Sequence, residues 1–458
     1  MRILKKTFMV HFILYGVSIF LCSFFYFENK GLKQSLSKTE GDKKVLRKSI
    51  DSYKKENRKL KLLARYSKIE TDVSMIRGLS PIKPINYNII DKNALKETII
   101  KKMNEFYPED KFHNMENALK TIGFLEKDVN LRNILINVYR EQVAAFYDYK
   151  EKELFTVSGS FFTKNIKDLF LAHEIVHAIQ DQHFNLSKMG MENLENDDHV
   201  QAVTALIEGD ATFCMDKYYL NHVNHEILLD ILSGLFFAMQ QAELDKAPPY
   251  IRESMLFPYI EGLYFVSKLY DPESKIKMNQ VFLDPPVSTE QIIHFEKYAV
   301  NRDEPDYPQI QDNDNIFSDL NLKPIYKNVM GELNIRILLK LLLPKEEAVK
   351  AAEGWDGDSV IVFENKGKPE KRGYISISRW DTREDAVEFA KTFLKWALIK
   401  YKIKGSDINE FDKNNQISLK VDADFQLSLS LNKNDCVIIY CEHNDYKKLL
   451  NLAANQLN

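Results

Sequence analysis

The sequence predicts an α+β protein. A mainly helical region with a short edge-strand sheet comes first, a smaller α+β module follows, and an N-terminal transmembrane helix precedes both. Three observations lead there: an uncharged run of about 20 residues near the start, apolar residues at helical spacing from about residue 86 to 345, and strand-like alternation after about residue 345. The chain has 458 residues, more than one ordinary domain. Hydrophobic residues make up 45% and charged residues 28%, a globular rather than disordered composition. Sixty-three Lys and Arg against 66 Asp and Glu leave a net charge of -3, which points away from nucleic-acid binding.

The elements follow in order. Residues 8–27, "FMVHFILYGVSIFLCSFFYF", carry no charge and are long enough to span a bilayer. Aromatics crowd the far end, and no small-x-small cleavage site follows, so a retained anchor over residues 1–29 is expected. Basic residues flank the run on both sides (Arg2, Lys5 and Lys6, then Lys30, Lys33 and Lys38). The expected placement is a single-pass cell-membrane protein with the bulk of the chain extracytoplasmic. Residues 30–80 form a charged helical stalk. Leu46, Ile50, Tyr53, Asn57, Leu60 and Ala64 fall at alternating four- and three-residue steps. Either a solvated single helix or a coiled-coil seam fits that spacing, and the seam would make the protein a homo-oligomer. Pro81 and Pro84 close the stalk.

Residues 81–345 read as the principal domain. "DVNLRNILINVYREQVAAFYD" is a helix, "KELFTV" a strand, and "HVQAVTALIEGDATFCMDKYYL" and "YIRESMLFPYIEGLYFVSKLY" are later helices. Residues 346–458 alternate strands such as "DSVIVFEN", "YISISRW" and "CVIIYCE" with helices such as "REDAVEFAKTFLKWALIKY". Four cysteines show no metal-ligand spacing, and Cys436 and Cys441 should face opposite sides of one strand, so no disulfide framework is expected.

The chemistry concentrates in "HEIVHAIQDQH", residues 173–183. His173 and His177 are four residues apart, so a helix stacks both imidazoles on one face, where they can share a cation. Glu174 lies about 100° around that helix, where it reaches a metal-held water rather than the metal. Zn2+ suits such ligands, and Glu174 would act as the proton-accepting base in hydrolysis. The third ligand is either His183 or a residue farther along. A continuing helix turns His183 roughly 240° and carries it about 9 Å from His177, so it faces away. Glu208, in "ALIEGDATF" on the next helix, is the better candidate. Asp181, Asp210 and Asp216 are open to a role in orienting an imidazole.

"HEIVHAIQD" followed some thirty residues later by "IEGDA" resembles the gluzincins, zinc peptidases in which a downstream Glu on an antiparallel helix completes the site. Glu208, Gly209 and Ala211 look like the ligand helix of that superfamily. Thr212 stands where thermolysin-like members carry Asp, so the match is to the broad superfamily. Blocks between about residues 135 and 365, among them "REQVAAFYDYKEKELFTV", "FPYIEGLYFV" and "PPVSTEQIIHFEKY", resemble a group of bacterial gluzincin-like proteins. The resemblance implies a membrane-anchored zinc metallopeptidase that cleaves envelope proteins or peptides. His173, His177 and Glu208 would hold the metal, and Glu174 would move the proton. His294, or next Tyr259, would face the developing oxyanion, and "KELFTV" would be the edge strand that pairs with extended substrate. The rival class is a non-catalytic envelope scaffold with a structural metal or none.

Overall fold

A computed structural model describes residues 40–158, 163–222, 242–271, 273–312, 315–403, 411 and 413–454. By its internal contacts the chain divides into two compact units, residues 1–75 and 76–458. What is described of the first belongs to one helix, α1 (Glu40–Arg77), whose last residues enter the second unit. All six positions at alternating four- and three-residue steps fall on it.

The expected transmembrane helix is corrected. None of the helices among the described residues is long and apolar enough to cross a membrane, and the run at residues 8–27 lies outside them, as does the anchor assigned to residues 1–29. The fold is α+β, built from helices and two sheets.

In the second unit, β1 (Asn86–Ile90) is followed by three helices, α2 (Lys92–Phe106), α3 (Glu109–Ile122) and α4 (Leu131–Gln142). Asp91 and Asn130 cap α2 and α4 with side-chain oxygens, satisfying N–H groups that the helix itself leaves open. Strands β2 (Ala145–Asp148) and β3 (Glu153–Val157) then complete a three-stranded sheet in the order β1-β3-β2. This order corrects a second expectation. Glu153–Val157, read as the edge strand, is the central one, parallel to β1 and antiparallel to β2. Its short alternating pattern fits either place, and only the parallel partner from residues 86–90 decides between them. The edge nearest the histidines belongs to β2.

Two long helices come next, α5 (Lys164–Phe184) and α6 (Asp197–His222). The Thr163 side chain caps the start of α5, and Asn185 ends it in the left-handed region at φ 57°. Asp197 and Asp198 lie in the first turn of α6, and burial raises their carboxyls, to about 6 and about 7. A third long helix, α7 (Pro249–Leu269), crosses α6 at two glycines. A Cβ on Gly209 would lie 2.3 Å from the Gly262 carbonyl oxygen, and one on Gly262 would lie 2.1 Å from that of Ala205. The missing side chains are what allow the two backbones to meet.

The remaining chain holds the short helix α8 (Thr289–Ile293), helix α9 (Gly331–Lys340) and a six-stranded antiparallel sheet. Its strands are β4 (Leu322–Asn328), β5 (Trp355–Asn365), β6 (Lys368–Trp380), β7 (Gln416–Lys420), β8 (Phe425–Asn432) and β9 (Asp435–Glu442), in the order β4-β5-β6-β9-β8-β7. Helices α10 (Arg383–Lys400) and α11 (Tyr446–Ala454) pack against it. Alternate residues serve two cores. Val360, Val362, Cys436 and Ile438 join the core that also holds Val203 and Leu206 of α6, while Ile361, Phe363, Val437 and Cys441 pack with Leu449 and Leu452 of α11. Cys436 and Cys441 therefore face opposite sides, and both are free thiols. One continuous core runs from α6 and α7 into the sheet, and the sheet starts at residue 322, ahead of the expected module boundary at 346.

Candidate metal centre

Helix α5 presents two different faces. His173, His177 and Gln180 follow i, i+4 and i+7 spacing and look toward α6, while Glu174 and Asp181, seven apart, look toward β2. The first face meets Glu208. His173 Nε2 lies 2.9 Å from Glu208 Oε2, His177 Nε2 lies 3.4 Å from the same oxygen, and the two Nε2 atoms are 3.0 Å apart. Both rings are buried, at 7% and 8% exposure. These residues form a group of three whose ligand atoms all fall within 4.8 Å of one another. Atoms bound tetrahedrally at zinc's usual 2.0–2.1 Å would be roughly 3.3–3.4 Å apart, so the spacing and the two-imidazole, one-carboxylate donor set both fit a divalent ion.

Charge is coupled across the cluster. Burial alone would raise the Glu208 carboxyl, but His177 and His173 hold it well below the usual range. Burial opposes charge on His177, yet Glu208 outweighs it and raises the ring to about 9. Glu174 is raised by burial, lowered by the two histidines and raised again by Glu208.

The second face of α5 is held by β2. Val157 N–H donates to the Ala144 carbonyl at 2.8 Å, and Lys152 N–H to that of Asp148 at 2.7 Å. Even-numbered residues thus aim their backbone groups at β3, and Ala145 and Tyr147 turn theirs outward. Tyr147 N–H donates to Glu174 Oε2 at 2.7 Å, and the Tyr147 hydroxyl donates to Asp181 Oδ2 at 2.7 Å. Asp181 also receives both of its oxygens' contacts from Lys152 Nζ at 2.8 Å and caps Leu186 N–H. Asp181 therefore does not orient an imidazole. It anchors the tyrosine whose backbone fixes Glu174.

The residue that touches an imidazole is Gln180. His177 Nδ1 lies 2.9 Å from Gln180 Oε1, and Gln180 Nε2 donates to Asp210 Oδ2 at 2.9 Å and to the Ile207 carbonyl at 3.0 Å. Asp210 is in turn held by Arg77 Nε at 2.6 Å and the Tyr270 hydroxyl at 2.9 Å. Gln180, Asp210 and Arg77 are all buried. Asp210 thus reaches His177 through one intermediary, and Arg77, the last residue of α1, closes the chain of contacts. His173 has no equivalent among the described residues, where its buried Nδ1 lacks a hydrogen-bond partner. Asp216, raised by burial, is a further carboxylate that His173 acts to lower.

Tyr259 stands over the cluster. Its ring stacks on His173 at 6.1 Å between centroids, and the Glu208 carboxylate, then burial, raises its hydroxyl well above the ordinary value. Gly262, three residues on, makes the close crossing with α6 that puts Tyr259 there. Tyr139 of α4 also feels Glu208, after burial. His294 is placed differently. It ends α8 and lies 3.0 Å from Glu332 Oε1 and 3.3 Å from Arg336 Nη2, both on α9. His183 lies 2.8 Å from the Ser80 carbonyl. Tyr147, Tyr139, Arg77 and Gln180 carry no pattern in the sequence that marks them as part of the site. A lone tyrosine on an amphipathic helix carries no signal, and a backbone N–H carries none at all.

A second group of candidate ligands, Glu290, Asp303 and Asp381, also falls within 4.8 Å. Lys297 Nζ occupies its centre, at 2.7 Å from Glu290, 2.8 Å from Asp303 and 2.6 Å from Asp381.

Comparison with known proteins reaches only part of the chain. Residues 322–438 match the family described as Domain of unknown function (DUF8575), a stretch that runs from the first residue of β4 into β9 and so covers most of the six-stranded sheet but not His173, His177 or Glu208. No curated protein and no solved structure matches the chain.

Proposed function

We propose that the protein is a zinc-dependent hydrolase of peptide bonds. The observation that carries this reading is the convergence of His173, His177 and Glu208 at 2.9–3.4 Å, with the Glu174 carboxylate held beside them by a backbone N–H. A metal held by these three residues would supply Lewis acidity and a more acidic water. The chain's own groups do the rest. Glu174, raised by burial, accepts a proton from the attacking water and delivers it to the leaving amine. The Tyr147 N–H fixes where that carboxylate points. Gln180, backed by Asp210 and Arg77, keeps His177 turned so that Nε2 faces Glu208. Tyr259, with its hydroxyl protonated and next to Glu208, is the better placed of the two oxyanion candidates, because His294 is engaged by Glu332 and Arg336. With the Tyr147 N–H held by Glu174, the outward backbone groups of Ala145 and the Tyr147 carbonyl give an extended peptide an edge to pair with.

The rival reading, a scaffold with a structural metal, has one observation in its favour: the family match covers the sheet and not the cluster. Glu174 separates the two, since a structural ion needs no base beside it. Metal content and cleavage of a quenched peptide mixture are measured for the wild type and Glu174→Gln. The hydrolase reading expects one zinc per chain in both and a loss of about 10²–10⁴-fold in cleavage in the variant. Equal cleavage by the two forms refutes it.

A further inference from the structure

Residues 77–85 lead from the end of α1 to β1, and they are fastened to α5 twice, once through α6 and once directly. On the buried side, Arg77 Nε reaches Asp210 Oδ2 at 2.6 Å, and Asp210 holds the Gln180 amide that meets His177. Arg77 also donates from Nη1 to Asn279 Oδ1 at 2.8 Å, and its guanidinium lies over the Phe282 ring at 5.6 Å. On the outer side, the last turn of α5 grips the same stretch. Gln182 Oε1 accepts from the N–H groups of Ile82 and Lys83 at 2.7 and 2.8 Å, and its Nε2 donates to the Lys83 carbonyl at 3.1 Å. His183 Nε2 donates to the Ser80 carbonyl at 2.8 Å.

The stretch has little slack. Gly78 turns it out of α1 at φ 73°, and Pro81 and Pro84 each fix a backbone dihedral. It runs straight into β1, which pairs with β3, and β3 pairs with β2, whose Tyr147 N–H fixes Glu174. The supports of His177 and of Glu174 are therefore tied together by one run of chain, residues 77–90. The inner fastening is incompletely satisfied. Arg77 is only 4% exposed, and its buried Nη2 has no hydrogen-bond partner among the described residues. A buried ion pair with unmatched donors adds little net stability, so this one serves geometry more than it serves the fold.

We propose that residues 77–85 are a strap that positions the metal cluster, fastened inside by Arg77 and outside by Gln182 and His183, and that α1 regulates the site through it. With the strap seated, His177 and Glu174 are both held; with it lifted, both are released together. Control of peptide hydrolysis rests on the hydrolase reading, whereas the link from the strap to α5 and β2 does not.

The test follows hydrogen exchange in the metal-free full chain and zinc affinity by chelator competition. Gln182→Ala with His183→Ala removes the outer fastening alone, at half-buried positions outside the cluster. Exchange should quicken about five- to tenfold in residues 171–180 of α5 and 144–149 of β2 and stay unchanged in residues 358–365 of β5. Zinc binding should weaken about five- to tenfold. Arg77→Met should weaken it about 10- to 100-fold, and adding the outer pair should weaken it by less than about twofold more, because a lifted strap has nothing left to release. Thermal melts check that each variant folds, and Arg77→Lys, which keeps the charge without the forked geometry, replaces Arg77→Met if that variant does not. Unchanged exchange in α5 after loss of the outer pair overturns the proposal. So does exchange that rises equally in β5, the mark of a merely structural contact, and so do losses of zinc affinity that multiply. If the wild type takes up no zinc, the hydrolase reading falls, and the exchange measurement alone decides the strap.

Discussion

Two clusters in this molecule gather acidic groups, and they balance their charge in opposite ways. Around Glu290, Asp303 and Asp381 the chain provides its own cation, with Lys297 Nζ 2.6–2.8 Å from all three. Around Glu208 the charges acting on the carboxylate come from His177 and His173, the two groups that would be its fellow ligands. A buried charge has to be matched, by a side chain or by a bound ion. An ammonium on a neighbouring turn closes the first cluster, and no ion can enter without displacing it. Imidazoles leave the second open, because in neutral form each offers a lone pair inward. Proximity of carboxylates is thus a poor guide to a metal site, and what fills the space between them is the better one.

The comparison can be broken most directly at Glu208. Glu208→Ala, like His177→Ala, removes one of the three proposed ligands and should lower zinc affinity by orders of magnitude, read by competition with a chromophoric chelator. If Glu208→Ala keeps wild-type affinity, the two clusters do not differ as described. Next in size is Lys297→Met. Glu290 is buried while Asp303 and Asp381 keep about a third of their side-chain surface in water, so the loss should be near 3 kcal/mol. The three carboxylates it strands resemble the oxygen-rich set that hard cations take. Millimolar calcium should then raise the melting temperature of the variant and leave that of the wild type unchanged, and a wild type that responds equally would show that Lys297 does not close the cluster.

A smaller effect is expected one residue out from the proposed metal ligands. Gln180→Leu removes the acceptor at His177 Nδ1 and should weaken zinc binding about 10- to 100-fold without unfolding the protein. The Co2+-substituted protein gives an independent readout, since its visible absorption bands should shift when His177 is free to turn. The smallest effect is assigned to His294. Partly exposed and paired with Glu332 and Arg336, it should leave zinc content unaltered as alanine and change stability by about 1 kcal/mol or less. Loss of zinc from that variant would extend the cluster beyond its three members.

The parts of the site that were legible in the sequence lie on a single helix or one turn apart. His173, Glu174 and His177 are fixed in mutual position by a 3.6-residue period, so their spacing alone places two imidazoles on one face and the carboxylate on the next. Glu208 needed one further step, a second helix that runs back, and the resemblance supplied it. What was not legible depends on contacts across the chain. Arg77 and Asp210 are separated by 133 positions. Tyr147 acts through its backbone N–H, which every residue but proline possesses. Glu153–Val157 has the composition of a strand but no mark to say how many neighbours it will have, and the partner at residues 86–90 made it central.

By itself the sequence determined that a helix would carry two stacked imidazoles with a carboxylate beside them, and that alternating apolar residues after residue 345 would build a sheet. Both follow from local backbone periodicity, which a linear pattern encodes completely. Only the tertiary structure decided which carboxylate meets those rings, which backbone amide restrains Glu174, and that Lys297 already occupies the other acidic cluster. Those outcomes turn on where separate elements cross, and at one such crossing the bare backbones of Gly209 and Gly262 touch.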